Sequence, residues 1–267
     1  YINIFAENPI DEKVNFLPEG NRSEYFFDRG LGYYNLNQYS NALKFIDQAL
    51  EIYINNNDKP NMARCYNNIG NIYNKLNIFN KAMEYHLLSL ELGETLNDEK
   101  RIVSSLNNIG NVLKSIEKYD EALEYYQKAL NLSYEIKDNK GLSITLNNIG
   151  NIYLSKENYE NALGFYNRSL ILKKELKDNF GIATSYNNIG ISYQGLGSTA
   201  KALENYNISL EMMKEIHDGD GIASSYFHIG VSYYEKNDDK KASLNLERAL
   251  AYAQNCDNKQ IMVSCYN

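Results

Sequence analysis

The sequence predicts an all-α fold, an array of stacked helix pairs, on three observations. Asn-Asn-Ile-Gly occurs at residues 67–70, 107–110, 147–150 and 187–190, always 40 residues apart. The same step reaches Gly30 and Gly230, so one period covers about 240 residues in six units. Beyond each glycine, at one fixed distance, stands an alanine: Ala42, Ala82, Ala122, Ala162, Ala202 and Ala242. Such a chain buries surface between neighbouring copies instead of around one central core, and its function belongs on a surface made by stacking.

Each unit opens with a helix whose apolar residues recur at helical spacing, as in Tyr66, Ile69, Gly70, Tyr73 and Leu76. The second helix has the same rhythm in Tyr119, Ala122, Leu123, Tyr126, Ala129 and Leu130. Glycine inside a helix costs about 1 kcal/mol relative to alanine. Six glycines in register therefore imply close approach of the paired helix, with glycine and alanine expected where the two backbones touch. Lys75-Leu76-Asn77 and Gly195-Leu196-Gly197 read as turns within a unit, and Asp138-Asn139, Asp178-Asn179 and Asp218-Gly219 as separators between units. The order is helix, tight turn, helix, loop, six times.

The ends depart from the pattern. Unit one carries Arg29 where the others have isoleucine, and Phe27-Asp28 where the middle units have Asn-Asn, as befits a terminal copy. Units five and six lose the turn aromatic, with Thr199 and Asp239 in its place. Met262 to Asn267 reads as the opening of a seventh first helix. Residues 1–20, with Pro9, Pro18 and Gly20, are out of phase and read as a short helix plus loop, leaving 21–267 as the repeat array. A start without methionine and an end inside a helix make a piece of a longer protein the expectation.

These residues resemble the tetratricopeptide repeat family. Its order of aromatic, Leu-Gly, aromatic, then alanines in the second helix is matched by Tyr66, Ile69-Gly70, Tyr73, Phe79, Ala82 and Leu90, and again by Leu146, Ile149-Gly150, Tyr153, Tyr159, Ala162 and Leu170. The chain lacks the proline after the second helix and runs 40 residues per unit where the common form has 34, which is similar to the longer repeats of bacterial signalling proteins, peptide-responsive regulators and polarity adaptors. The resemblance implies a right-handed superhelical solenoid whose first helices line a concave face.

Composition narrows the function. A net charge of −7 without a basic run argues against a nucleic-acid footprint. No stretch approaches the roughly 18 apolar residues of a membrane span, and no signal peptide is visible. Cys65, Cys256 and Cys265 form no CxxC pair and fit buried thiols in a reducing compartment. The expected location is cytoplasmic, with a periplasmic sensor domain as the alternative.

No catalytic motif emerges. His86 falls in a core phase, His217 in a loop, and no HExxH, nucleophile elbow or phosphate loop is present. Gly195 to Lys201 lacks phosphate-loop spacing, and Glu121 and Glu124 read as a solvated helix face. The expectation is a protein that is not an enzyme and needs no cofactor or metal.

The asparagines carry the functional reading. On a helical wheel they fall largely opposite Tyr66, Ile69 and Tyr73, a side that the resemblance places on the concave surface. Asn67, Asn107, Asn147 and Asn187 form one row, Asn68, Asn108, Asn148 and Asn188 a second, with Asn71, Asn111 and Asn151 beside them. Asparagine offers two donors and an acceptor without charge, suited to clamping the backbone of an extended peptide. Copying of neutral residues by duplication is the alternative. At the ends the same phases turn apolar, with Phe27, Leu31, Ile191, Phe227 and Val231, and His228 among them. They read either as side-chain pockets or as surface facing a neighbouring domain. The lysines and arginines with which the chaperone-tail members grip a carboxylate are replaced here by asparagine.

The expected function is a non-catalytic scaffold binding a protein or peptide partner in the groove, with self-association through the exposed solenoid ends as a further option. The alternative is a ligand-sensing segment of a larger signalling protein, such as a sensor kinase or transcription regulator.

Overall fold

The computed structural model describes residues 18–266. The expected short helix within 1–20 lies almost wholly outside the described residues, and Glu19 and Gly20 already belong to the first repeated helix. The described residues form two compact units, one up to Ile136 and one from Lys137 onward.

The first unit holds α1 (Glu19–Asn35), α2 (Tyr39–Asn55), α3 (Lys59–Lys75), α4 (Phe79–Thr95), α5 (Glu99–Ser115) and α6 (Tyr119–Glu135). Each helix packs on the next, and α3 also touches α5. The second unit holds α7 (Asn139–Ser155), α8 (Tyr159–Glu175), α9 (Asn179–Gly195), α10 (Thr199–Glu215), α11 (Gly219–Glu235), α12 (Asp239–Asn255) and α13 (Lys259–Tyr266). Its helices pack in the same sequential way, with α9 touching α11 and α11 touching α13. The first helix of a seventh repeat is thus present, starting earlier than Met262. The helices α1 to α12 are equal in length and start at a constant step, from Glu19 to Tyr39 to Lys59 and onward. Turns within a repeat and turns between repeats therefore have the same length.

One device ends these helices. In the turn after α1, Asn37 has φ 57°, its N–H donates to Tyr34 O, and the N–H of Gln38 donates to Tyr33 O. This is a Schellman turn. The left-handed position recurs at Asn57, Asn77, Asn97, Glu117, Lys137, Glu157, Lys177, Gly197, His217, Asn237 and Asp257. The residue that follows it caps the next helix, often as an aspartate: Asp58 accepts from Asn61 N, Asp98 from Arg101 N, Asp178 from Gly181 N and Asp218 from Gly221 N. The aspartates of the supposed separators stand at N-cap positions, and the residue after each is already helical.

The glycine row serves a different contact from the one expected. A Cβ on Gly110 would meet the ring of Tyr126, on Gly150 that of Tyr166, on Gly190 that of Tyr206, and on Gly70 that of His86. The partner lies in the second helix of the same repeat, and the glycine is a notch that admits a flat ring. Tyr126, Tyr166 and Tyr206 are fully buried as a result. At the ends the notch takes an aliphatic chain, Ile46 against Gly30 and Leu246 against Gly230. The alanines are almost completely buried, which fits their expected place in the helix crossing.

A second exchange of bulk joins neighbouring repeats. Gly181 lies against Lys173 and Gly221 against Met213, while Gly93 faces Ile102 and Arg101. A long side chain on one helix is matched by a missing Cβ on the next, which keeps packing dense. In unit one Arg29 is buried with its guanidinium 5.2 Å from the centre of the Phe45 ring, and its Nη1 donates to Tyr25 Oη at 2.8 Å. The cation lies among Tyr25, Tyr33 and Phe45, a cation–π arrangement that offsets its burial.

Candidate functional site

In the first unit the asparagine rows are largely engaged with the protein itself. Asn107 is buried, and its Nδ2 donates to Val103 O at 3.0 Å. Asn68 Nδ2 donates to Arg64 O at 2.8 Å. Asn108 Nδ2 donates to Asn67 Oδ1, which ties α5 to α3 across the face of the first helices. Asn111 Oδ1 accepts the Tyr126 hydroxyl at 2.8 Å. Asn71 stands in the equivalent place in the preceding repeat, where His86 replaces tyrosine. Both nitrogens of that imidazole are buried without a hydrogen-bond partner among the described residues, and burial pushes its pKa down to about 4.

The second unit repeats the tyrosine link, with the Tyr166 hydroxyl donating to Asn151 Oδ1 at 2.8 Å. Where Ile191 stands in place of asparagine, Tyr206 donates to Gln194 Oε1 instead. The Asn71, Asn111 and Asn151 row therefore sits at the seam with the second helix, where two members anchor tyrosines. Asn148 is also buried, whereas Asn188 is half-buried. Asn147 Oδ1 accepts from Lys173 Nζ at 3.2 Å, and the same ammonium donates to Ser185 Oγ at 2.9 Å. Lys173 is only 6% exposed, and burial pulls its pKa down to about 8.

Three of the expected residues meet in one place. Asn187, Phe227 and His228 line a cavity of about 510 Å³ between α9, α11 and α13, with Ser209 and Met213 of α10 behind it. Its other walls include Phe180, Thr184, Asp218, Asp220, Ser224, Gln260 and Ser264. The His228 ring stacks on Tyr206, centroids 5.1 Å apart, and meets Phe227 edge-on. Burial pushes His228 down to about 4, so the imidazole is neutral near pH 7. Asn187 Oδ1 is buried with no hydrogen-bond partner among the described residues, an acceptor held ready for a donor.

Phe180, Thr184, Asp218, Asp220 and Ser224 carried no functional reading in the sequence. A signal was present: Phe180, Thr184 and Asn187 stand at i, i+4 and i+7 on α9, and Asp220, Ser224 and Phe227 repeat that spacing on α11. The exposed stripe runs from Asn187 back toward the helix start, whereas the asparagine motif had pointed forward to Asn188.

Among the described residues no group of three or more His, Cys, Asp or Glu side chains is placed to hold a metal ion, and no helix is long and apolar enough to cross a membrane. The three thiols are free, with Cys65 buried and Cys256 and Cys265 half-buried. Burial pushes Cys65 up to about 12, which leaves it an unreactive core group.

The tetratricopeptide repeat family model matches residues 25–95, 101–175 and 181–255. No curated protein matches the chain in sequence. Among solved structures it is similar to the apo form of the quorum sensor NprR from B. thuringiensis, with a TM-score of 0.77 and 19% identity over 96% of this chain and 72% of that one. A Rap protein complexed with competence and sporulation factor gives 0.74 and 14% over 96% and 76%. Aspartyl phosphate phosphatase F from Bacillus subtilis gives 0.72 and 16% over 91% and 62%, so this chain spans under two thirds of that protein.

Proposed function

We propose, from the premise that the chain belongs to the tetratricopeptide repeat family, that it is a non-catalytic module binding a protein or peptide partner along its first helices, in an array running from residue 21 to 267. The cavity holding Asn187, Phe227 and His228 carries this reading. It combines aromatic walls, which bury side chains, with an unpaired amide oxygen that suits a backbone N–H. The open asparagine row is narrower than the motif suggested, since Asn107, Asn111 and Asn151 are spent inside the protein. A reducing, cytoplasmic location fits the free thiols.

A second reading makes the chain the sensing segment of a larger signalling protein. Its support is the similarity to the quorum sensor NprR and to Rap bound to competence and sporulation factor. Both readings use the same face. The test is selection of binders from a random peptide display library, then titration of the best binder against the parent, Asn187→Ala and Phe227→Ala. Losing the amide contact should cost about 0.5–1.5 kcal/mol of binding, and losing the ring about 2 kcal/mol or more, with little change in thermal midpoint for Asn187→Ala. Unchanged affinity in both variants places the partner elsewhere.

A further inference from the structure

The cavity has acidic side chains in its wall and no cationic one near neutral pH among the described residues. Asp218 Oδ1 accepts the Gly221 N–H at 2.8 Å. Asp220 Oδ1 accepts from Asn258 Nδ2 at 2.8 Å and from the Cys256 thiol at 3.1 Å. These are neutral donors, so both carboxylates keep their charge uncompensated by contact, and no lysine or arginine lines the cavity among the described residues. Two hydroxyl protons are turned away as well: Thr184 Oγ1 donates to Phe180 O and Ser264 Oγ to Gln260 O. Asn187 Oδ1 adds a buried acceptor without a donor, and the His228 imidazole supplies no positive charge near neutral pH.

Two carboxylates without a cationic partner call for a cation, and the unpaired Asn187 Oδ1 beside them calls for a donor. The walls select among cations. Phe180 is 54% exposed and stands with Phe227 on the rim of the same cavity, offering flat rings to a flat, weakly hydrated ion. Guanidinium stacks on such rings and presents five N–H groups in a fork that fits carboxylates, whereas a lysine ammonium is a strongly hydrated point charge. We propose that this cavity takes the arginine side chain of a bound peptide, an inference that rests on the peptide-binding function above and names its ligand chemistry. Asp218 and Asp220 hold the guanidinium, Asn187 Oδ1 accepts from it or from the adjoining peptide N–H, and Phe180 and Phe227 flank it.

The test uses the whole chain and immobilised pools of acetylated, amidated hexapeptides that carry arginine, citrulline or glutamate at one fixed position and mixtures elsewhere. Citrulline keeps the shape of arginine and removes its charge. The parent should bind arginine pools at least about tenfold better than citrulline pools, glutamate pools should bind least, and the preference should shrink as salt is raised. In Asp218→Asn/Asp220→Asn the preference should vanish. Asparagine still caps α11, and circular dichroism checks that the variant is folded, while the citrulline comparison on the parent needs no variant. Equal binding of arginine and citrulline pools by the parent overturns the proposal but leaves peptide binding standing, as does a preference that survives in the double variant. Binding of no pool by any form of the chain removes both.

Discussion

His86 is the residue at which the repeat's internal chemistry is incomplete. The same slot holds Tyr126, Tyr166 and Tyr206, whose hydroxyls reach Asn111, Asn151 and Gln194, whereas the imidazole is 1% exposed with two orphaned nitrogens. Its folded pKa of about 4 lies below the ordinary value near 6.5. The unfolded chain therefore takes a proton that the folded chain refuses. Stability is full above pH 6.5 and is lost as pH falls from there toward 4, by on the order of 3 kcal/mol from this group. His86→Tyr should raise the thermal midpoint by several degrees at pH 7, because the ring fits the Gly70 notch and its hydroxyl gains Asn71 as acceptor. It should also flatten the decline between pH 6.5 and 4, read from melts across that range. A variant less stable than the parent at pH 7 would show that the Gly70 notch is shaped to imidazole alone.

At the scale of the element, every long helix ends in a left-handed residue, yet only Gly197 there is a glycine. Glu117 has φ 60° and an exposed side chain, so its Cβ strains the backbone for no visible contact. Glu117→Gly should stabilise the chain by up to about 1 kcal/mol, since relief of the left-handed penalty exceeds the added freedom of the unfolded glycine. Urea melts with unchanged slope and a higher midpoint are the expected result, and a lower midpoint would mean that the penalty at this turn is negligible. The turns also show what the sequence could and could not convey. Helix periodicity and the places of Gly110 and Ala122 were legible, because stacking copies them with little tolerance. The partner of Gly110 was not, because a glycine states only that something comes close, and Tyr126 had already been accounted for as an ordinary core aromatic. Asn111 misled for a related reason: on a wheel it borders both the exposed face and the seam with the second helix, and only coordinates show which side its amide joins. The cavity residues Phe180 and Asp220 drew no notice because no repeated motif marks them, their residue types changing from copy to copy.

For the whole molecule, backbone and chemistry repeat with different periods. The glycine notch recurs at every second helix, α1, α3, α5, α7, α9 and α11, so the chain alternates two kinds of helix that are equal in length and end in the same left-handed turn. Removing residues 59–98 joins Asp58 to Glu99 and deletes α3 and α4, leaving α1, α2, α5 and α6 in alternating order with each glycine facing its own second helix. Nearest-neighbour energetics then preserve a folded array with one pair fewer. Removing residues 79–98 deletes α4 alone and joins Ile78 to Glu99. Turn length survives, but Ile78 replaces Asp98 as the N-cap of α5 and offers no side-chain acceptor, and α5 now stands where α4 stood, which brings Ile102 to the place of the fully buried Ala82 and Leu106 to that of His86 opposite Gly70. Forcing a branched chain into that crossing costs roughly 1–3 kcal/mol by overpacking, and α5 cannot also pair normally with α6. The larger deletion should therefore retain a parent-like helical signal per residue and a single cooperative melt with a modestly lower midpoint, while the smaller one loses cooperativity and melts far lower. Circular dichroism on the two forms decides it. Equal behaviour would mean that the helices are interchangeable and that the notch contributes nothing to their order.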